Sequence, residues 1–290
     1  MSITTIIKRE LLSYFATMTG WVFIGLFVFV SSVYFVLINV LGLLPDYNLT
    51  LHNKTLMFMI LIPALTMRFF AGEVRQSTDR LLFTLPISAS EIVLGKFFGG
   101  VILFLSALGI TIMFPFILSF FGSLPIAQIA GTFIGFAFVG CSFIAIGLLI
   151  SSIANSQILS AILTFCVLLL LFLAEAIALS LPSGELASAV YAFFLVAAIA
   201  VLFHRLTKNF YISITIGALG SFLIALTYFT MNDMYRGLMS SSLRWISIMS
   251  RFDNFARGIL NISDIVYYVT LTAALVVITI IVVDARRNKG

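Results

Sequence analysis

Residues 71–98 read AGEVRQSTDRLLFTLPISASEIVLGKFF, a polar island between two strongly apolar runs. Glu73, Arg75, Asp79, Arg80, Glu91 and Lys96 carry its charges, and Leu81-Leu82-Phe83 makes its middle apolar again. Pro86 has no amide hydrogen and disfavours helix at Leu85, so the chain bends there. Ser88 or Ser90 can cap the helix that follows, and Glu91 suits the positive end of its dipole. A charged turn thus leaves a membrane, a short amphipathic piece follows, and the chain bends and re-enters. Such a piece on the membrane face can take force from a soluble partner, or it can be a solvated loop that only joins two spans.

The composition sets the frame for this reading. Of 290 residues 62% are hydrophobic and 9% charged, with mean hydropathy +1.20 and 30 phenylalanines. Soluble domains carry about 25% charge, so the chain reads as an integral membrane protein. Its apolar runs are unbroken rather than alternating, which points to spanning helices and not to a barrel. The net charge of +5 is no nucleic-acid footprint, because the basic residues cluster at span ends, where topology accounts for them. Cys141 and Cys166 fall inside apolar runs and read as small buried hydrophobes. The first apolar run is too long for a signal peptide and has no small-residue cleavage pattern after it.

The island resembles a segment of the membrane subunits of ABC exporters of the second permease class, most closely the permeases similar to the gliding-motility ABC transporter. That family carries acids and a base, Gly-Thr, Glu-Leu-Leu, then Thr and Pro, followed by Glu-Ile-Val-Leu-Gly-Lys-Phe. Glu73, Arg75, Thr78, Leu81, Leu82, Thr84, Leu85 and Pro86 match, and Glu91 to Phe97 match without a gap. Gly72, Ser77 and Arg80 depart from the pattern. The resemblance implies a coupling segment, 72–95, that docks on a cytoplasmic ATPase through Glu73, Arg75, Thr78, Leu81, Leu82, Thr84, Pro86 and Glu91.

Outward from the island the chain reads as about eight spans. Residues 1–18 place Ile3, Ile6, Ile7, Leu11, Tyr14, Phe15 and Met18 at helical spacing, with Lys8, Arg9 and Glu10 near the other face. This predicts an interfacial amphipathic helix, or else a plain extension of the first span. Spans follow at about 20–43 and 55–71, joined by a polar outer loop at 44–54. Pro63 should kink the second. The third, about 96–121, has Pro115 as a further kink. The fourth, about 126–150, has Gly131 and Gly135 in GxxxG spacing, which fits close packing within one subunit or a dimer seam. A polar break at 151–157 offers a second cytoplasmic contact for the ATPase.

The fifth span, about 158–181, contains Glu175, an embedded acid that can face a substrate path or reach up to the interface. Spans six and seven fall at about 187–203 and 210–231. Residues 232–264 predict an outer amphipathic helix with Leu238, Trp245, Met249 and Phe252 on one face, covering a pathway mouth or resting on the bilayer. The last span is about 265–283. With both termini inside, about eleven basic residues lie on the inner side and five, Lys54 among them, on the outer, as the positive-inside rule requires. The fold class is therefore all-α, a single polytopic helical bundle over 1–290 in the cell membrane.

No phosphate-binding Gly-x-x-x-x-Gly-Lys-Ser/Thr loop, Gly-x-Ser-x-Gly or His-Glu-x-x-His occurs. No catalytic, cofactor or metal role is expected, and ATP hydrolysis belongs to the partner. Asn48, Asn53 and Asn261 stand in Asn-x-Ser/Thr triplets, read as chance. The expected partners are cytoplasmic ATPase subunits, a second membrane half, identical or related, the bilayer, and an additional membrane-anchored subunit. Two other functions fit the residues: a scaffold or regulatory subunit with no transport path, and a proton-coupled secondary transporter that needs Glu175. The substrate cannot be read from apolar spans.

Overall fold

Lipid offers no partner to a peptide group, so a chain this apolar must close its hydrogen bonds within helices. The computed structural model describes residues 3–44, 46–72, 88–122, 124–181, 184–207, 210–230, 235 and 237–287. Among these 87% are helical and none lies in a strand. In chain order the helices are α1 (Ile3–Ala16), α2 (Met18–Phe35, prolonged by a π turn at Val36–Leu41), α3 (Tyr47–Asn53) and α4 (Phe58–Thr66). Then come α5 (Ala89–Ile110), α6 (Met113–Leu118), α7 (Ile126–Ile153), α8 (Gln157–Ser180), α9 (Glu185–Thr207) and α10 (Phe210–Thr230). Last are α11 (Leu238–Ile246), α12 (Ile248–Ala256) and α13 (Ile262–Arg287). Among the described residues six stretches are long and apolar enough to cross a membrane: Met18–Leu41, Tyr47–Thr66, Ala89–Leu118, Ile126–Ile153, Gln157–Ser180 and Ile262–Arg287. The apolar parts of α9 and α10 are shorter, at Glu185–Ala197 and Gly217–Tyr228.

Contacts divide the chain into two compact units, residues 1–169 with 251–290, and residues 170–250. In the first, α7 packs against α3, α4, α5 and α13. Its glycines let the neighbours in. A Cβ on Gly135 would lie 2.5 Å from Cβ of Phe255, one on Gly140 would meet the Phe104 ring, and one on Gly147 would meet Thr66. The GxxxG spacing therefore serves packing within the subunit. Phe27, Phe58, Phe104, Phe136 and Phe143 fill the centre, with Phe58 and Phe136 centroids 4.5 Å apart. In the second unit α9 and α10 pack together, α11 lies against α9, and Ser242 donates to the Tyr191 hydroxyl at 3.2 Å.

Several expectations need correction. The polar loop at 44–54 is largely helix and buried. Asp46 caps α3 by accepting from the Asn48 amide at 2.9 Å, and a 3₁₀ turn at Lys54–Met57 leads into α4. Polarity there does not mean water, because the groups are paired inside. Thr50 donates to Asn39 Oδ1 at 2.6 Å, Asn39 donates to the Leu44 carbonyl at 2.8 Å, and Thr132 donates to Asn48 Oδ1 at 2.8 Å. Asn48, the first residue of a glycosylation triplet, is buried.

The kink expected from Pro115 takes the form of a break one turn earlier, at Thr111–Ile112. A proline removes the bond to the carbonyl four residues before it and crowds that carbonyl. The Thr111 oxygen accepts instead from the Phe114 amide at 3.1 Å, and the Tyr47 hydroxyl approaches it at 3.4 Å. The helix expected across 232–264 is broken at Ser247 into α11 and α12. Beyond the break, Phe252 and Phe255 are fully buried, while Trp245 is exposed. Of the cysteines, Cys141 is half-buried and Cys166 lies exposed on α8.

Lys54 is the sharpest departure. Counted from sequence with the outer basic residues, it is 0% exposed. Its Nζ lies 4.8 Å from the Phe136 ring centre, 5.4 Å from Phe27 and 6.0 Å from Phe133, with no hydrogen-bond partner among the described residues. A cation–π contact out of water yields about 2 kcal/mol. Desolvating an ammonium costs several kcal/mol, so burial outweighs the rings.

Two outcomes follow for thermal unfolding in mild detergent. Gly135→Ala forces its methyl group onto Phe255 and should cost about 1–3 kcal/mol. Lys54→Met keeps the volume, removes the unpaired amine and should stabilise by about 1–3 kcal/mol. An unchanged midpoint for the first, or a lowered one for the second, would contradict this account of the core.

Candidate functional site

The described residues on either side of 73–87 are held by several helices at one end of the first unit. Glu73, Arg75, Thr78, Leu81, Leu82, Thr84 and Pro86 lie outside the described residues; the chain is described up to Gly72 and again from Ser88. On the far side Ser88 opens α5 with a reciprocal cap. Its Oγ accepts from the Glu91 amide at 3.3 Å, and its amide donates to Glu91 Oε2 at 3.0 Å. The Ser-x-x-Glu spacing carries this capping box. Of the two serines proposed as caps, Ser88 takes the role, and the Glu91 carboxylate is turned back onto it.

On the near side the chain leaves α4 at Thr66 and crosses the end of α7. Ser151 Oγ accepts from the Phe70 amide at 3.1 Å and from the Ala71 amide at 3.3 Å. Both residues and Ser151 are buried, so this hydroxyl satisfies two amides that no helix provides for. Next comes Gly72, where a Cβ would lie 3.1 Å from Nε2 of Gln157, the first residue of α8. The polar break at 151–157 is thus folded against residues 70–72. Ser156 starts α8 by accepting from the Leu159 amide at 3.1 Å.

Two more helices reach this end. Arg286, in the last turn of α13, donates to the Ile153 carbonyl at 2.6 Å and to Asn155 Oδ1 at 3.3 Å. It thereby fills one of the open carbonyls at the end of α7 with a cation, the favourable sign for a helix C-terminus. Lys96 of α5 donates to Glu10 of α1 at 3.0 Å, and the Lys96 side chain is only 3% exposed. The Phe70 ring lies 5.4 Å from Lys96 Nζ. Phe70 therefore touches α7 through its backbone and the α1–α5 ion pair through its ring.

The sequence pattern placed Glu10 near the polar face of the first helix. Instead it turns inward with Ile6 and Tyr14, and the Ile6 side chain fills the space left by Gly95 on α5. No spacing rule links Glu10 to Lys96 or Arg286 to Asn155, because the partners sit far apart in the chain. Glu175 is not part of this cluster. It lies half-buried near the other end of α8. No group of three or more His, Cys, Asp or Glu side chains suited to a metal occurs among the described residues.

Another cluster ties the opposite end of the first unit. Arg251 donates to Asp264 Oδ1 at 3.1 Å and lies 4.0 Å over the Tyr267 ring. Asn254 donates to Asp264 Oδ2 at 2.8 Å, and His52 meets Asp253 at 2.8 Å. These bonds fasten α12 to α13 and to α3, a structural role.

Ser151→Ala leaves the Phe70 and Ala71 amides buried without an acceptor. The expected cost is about 1–3 kcal/mol in detergent unfolding, with faster hydrogen exchange confined to residues around 70. Exchange there at the parent rate would remove Ser151 from its bridging role.

The family model described as ABC-2 family transporter protein matches residues 48–285, most of the chain; of the residues described at this end, Glu10 and Arg286 lie outside the match. Neither a curated protein nor a solved structure matches the chain. Six membrane-length apolar helices and this family match make it a multi-pass membrane protein, and the chain belongs to the ABC-2 family of transporter proteins.

Proposed function

We propose that the chain is the membrane-spanning permease subunit of an ABC transporter, most similar to the gliding-motility permeases. It couples ATP hydrolysis by a separate cytoplasmic ATPase to export of a substrate. Residues 72–95 are the coupling segment: Glu73, Arg75, Thr78, Leu81, Leu82, Thr84, Pro86 and Glu91 face the ATPase. In this reading the whole chain is one permease domain of about eight spans, with α9 and α10 completing the count. Both termini lie in the cytoplasm, α1 is the interfacial elbow, 232–264 lies at the outer side, and the membrane is the cell membrane. A second membrane half, a copy or a relative, completes the path, and an additional membrane-anchored subunit can join. Glu175 is kept as a candidate pathway residue.

The observation that carries this reading is the anchoring of Phe70 and Ala71. A segment can transmit a push only if its root is stiff. The last residues before the segment are hydrogen-bonded to α7 through Ser151, and the Phe70 ring lies 5.4 Å from Lys96 of α5, which pairs with Glu10 of α1. A downward or lateral stroke on residues 72–95 would therefore load three helices at once. A loop that merely joined two spans would need no such root.

The test uses the chain purified with its associated ATPase and returned to vesicles. Glu73→Gln and a Leu81→Ala, Leu82→Ala pair should lower stimulated ATPase at least about tenfold, the scale of about 1.4 kcal/mol lost at a docking contact, while membrane insertion is kept. A cysteine at position 78 should resist membrane-impermeant maleimide in intact cells. Normal coupling in both mutants, or labelling from outside, would refute the docking role.

A further inference from the structure

An apolar groove of about 260 Å³ runs between the start of α2 and the end of α4, bordered at its mouth by Tyr14 of α1. Phe23, Leu61 and Leu65 form its floor and are buried, while Val22 and Leu26 form an exposed rim. Met18 and Thr19 stand level with Met67 and Arg68, because the two helices run antiparallel. From there to Leu26 the groove extends along α2 by about 12 Å, eight residues at a helical rise. Its chemistry changes along that length. The mouth carries the Arg68 guanidinium and the Thr19 hydroxyl, and the far end is hydrocarbon only.

We infer that this groove holds one anionic glycerophospholipid of the surrounding bilayer, with its phosphate at Arg68 and part of an acyl chain along Phe23, Leu61 and Leu65. The order of polar and apolar groups is that of a lipid, head to tail. Hydrocarbon gains little by leaving one apolar surroundings for another, so the chain contributes fit and the head contributes selection. A guanidinium offers forked donors that match phosphate oxygens, and a basic side chain at a membrane surface favours anionic lipid. A second copy of this chain is a poorer occupant, because an interface built on this strip would bury Arg68 with no acid at the mouth to meet it. Arg68 stands two residues before Phe70, so the lipid would sit beside the root of the segment described above and brace α2 against α4. The inference needs only a bilayer and holds whether or not an ATPase docks on residues 72–95.

The test is native mass spectrometry of the full chain, with whatever subunits accompany it, released from nanodiscs of equal phosphatidylglycerol and phosphatidylcholine. The parent should retain phosphatidylglycerol in preference. Arg68→Gln should weaken that retention about fivefold, the effect of one basic side chain at a lipid surface. Val22→Trp and, separately, Leu26→Trp place a ring in the groove from exposed positions and should lower retention of both lipids. Circular dichroism confirms that each variant is folded, and Arg68→Gln alone decides the question if neither tryptophan variant folds. Three results would overturn the inference: no preference for phosphatidylglycerol in the parent, undiminished retention in Arg68→Gln, or tryptophan variants that change subunit number rather than lipid.

Discussion

Inside a bilayer, helices gain almost nothing from hiding hydrocarbon, so they must meet closely enough for dispersion and hydrogen bonds to hold them. In this protein α7 meets that requirement. Gly135, Gly140 and Gly147 are spread along its length, and each admits a different neighbour: Phe255 ahead of α13, Phe104 of α5, and Thr66 of α4. The phenylalanine cluster around Phe58 and Phe136 fills the space these approaches enclose. Near the end of the same helix, the Ser151 hydroxyl holds the backbone of Phe70 and Ala71. One helix thus connects the packed centre to the polar end of the unit without an intervening loop.

What the sequence made legible was set by local rules. Unbroken apolar runs gave helices of the right kind at nearly the right places, and Ser88 with Glu91 gave a capping box because its partners lie three residues apart. Gly131 and Gly135 correctly marked a close approach, though nothing in their spacing named Phe255 as the visitor. Pro115 marks the disturbance in the third span, and the break falls at Thr111 because the lost bond belongs to the carbonyl four residues earlier. Glu73 to Pro86 are matched by resemblance, and they lie outside the described residues.

Other features were illegible for a physical reason. Residues 44–54 look like a wet loop, because a list of Asp, Asn, Thr, His and Lys does not reveal that several of these side chains have mates inside. Thr50 with Asn39, and Asn48 with Thr132, become visible only when α3 is laid against α2 and α7. Lys54 followed the same misreading and joined the tally of surface charge. Glu10 with Lys96 and Arg286 with Asn155 are partners 86 and 131 residues apart in the chain. These pairs, with Phe70 beside one of them, tie the helices together at the polar end of the unit.

The buried polar face of α3 has a bearing on how the protein is made. Tyr47–Thr66 is the least apolar of the six membrane-length stretches and also the most enclosed by protein. Its asparagines, threonines and lysine would meet bare lipid if it entered the bilayer alone, and Asn48 has no mate until α7 has been synthesised. That partner exists only after more than seventy later residues have been made. Assembly of this chain is then non-sequential: polar groups of its second membrane-length stretch are satisfied only once the fourth is in place.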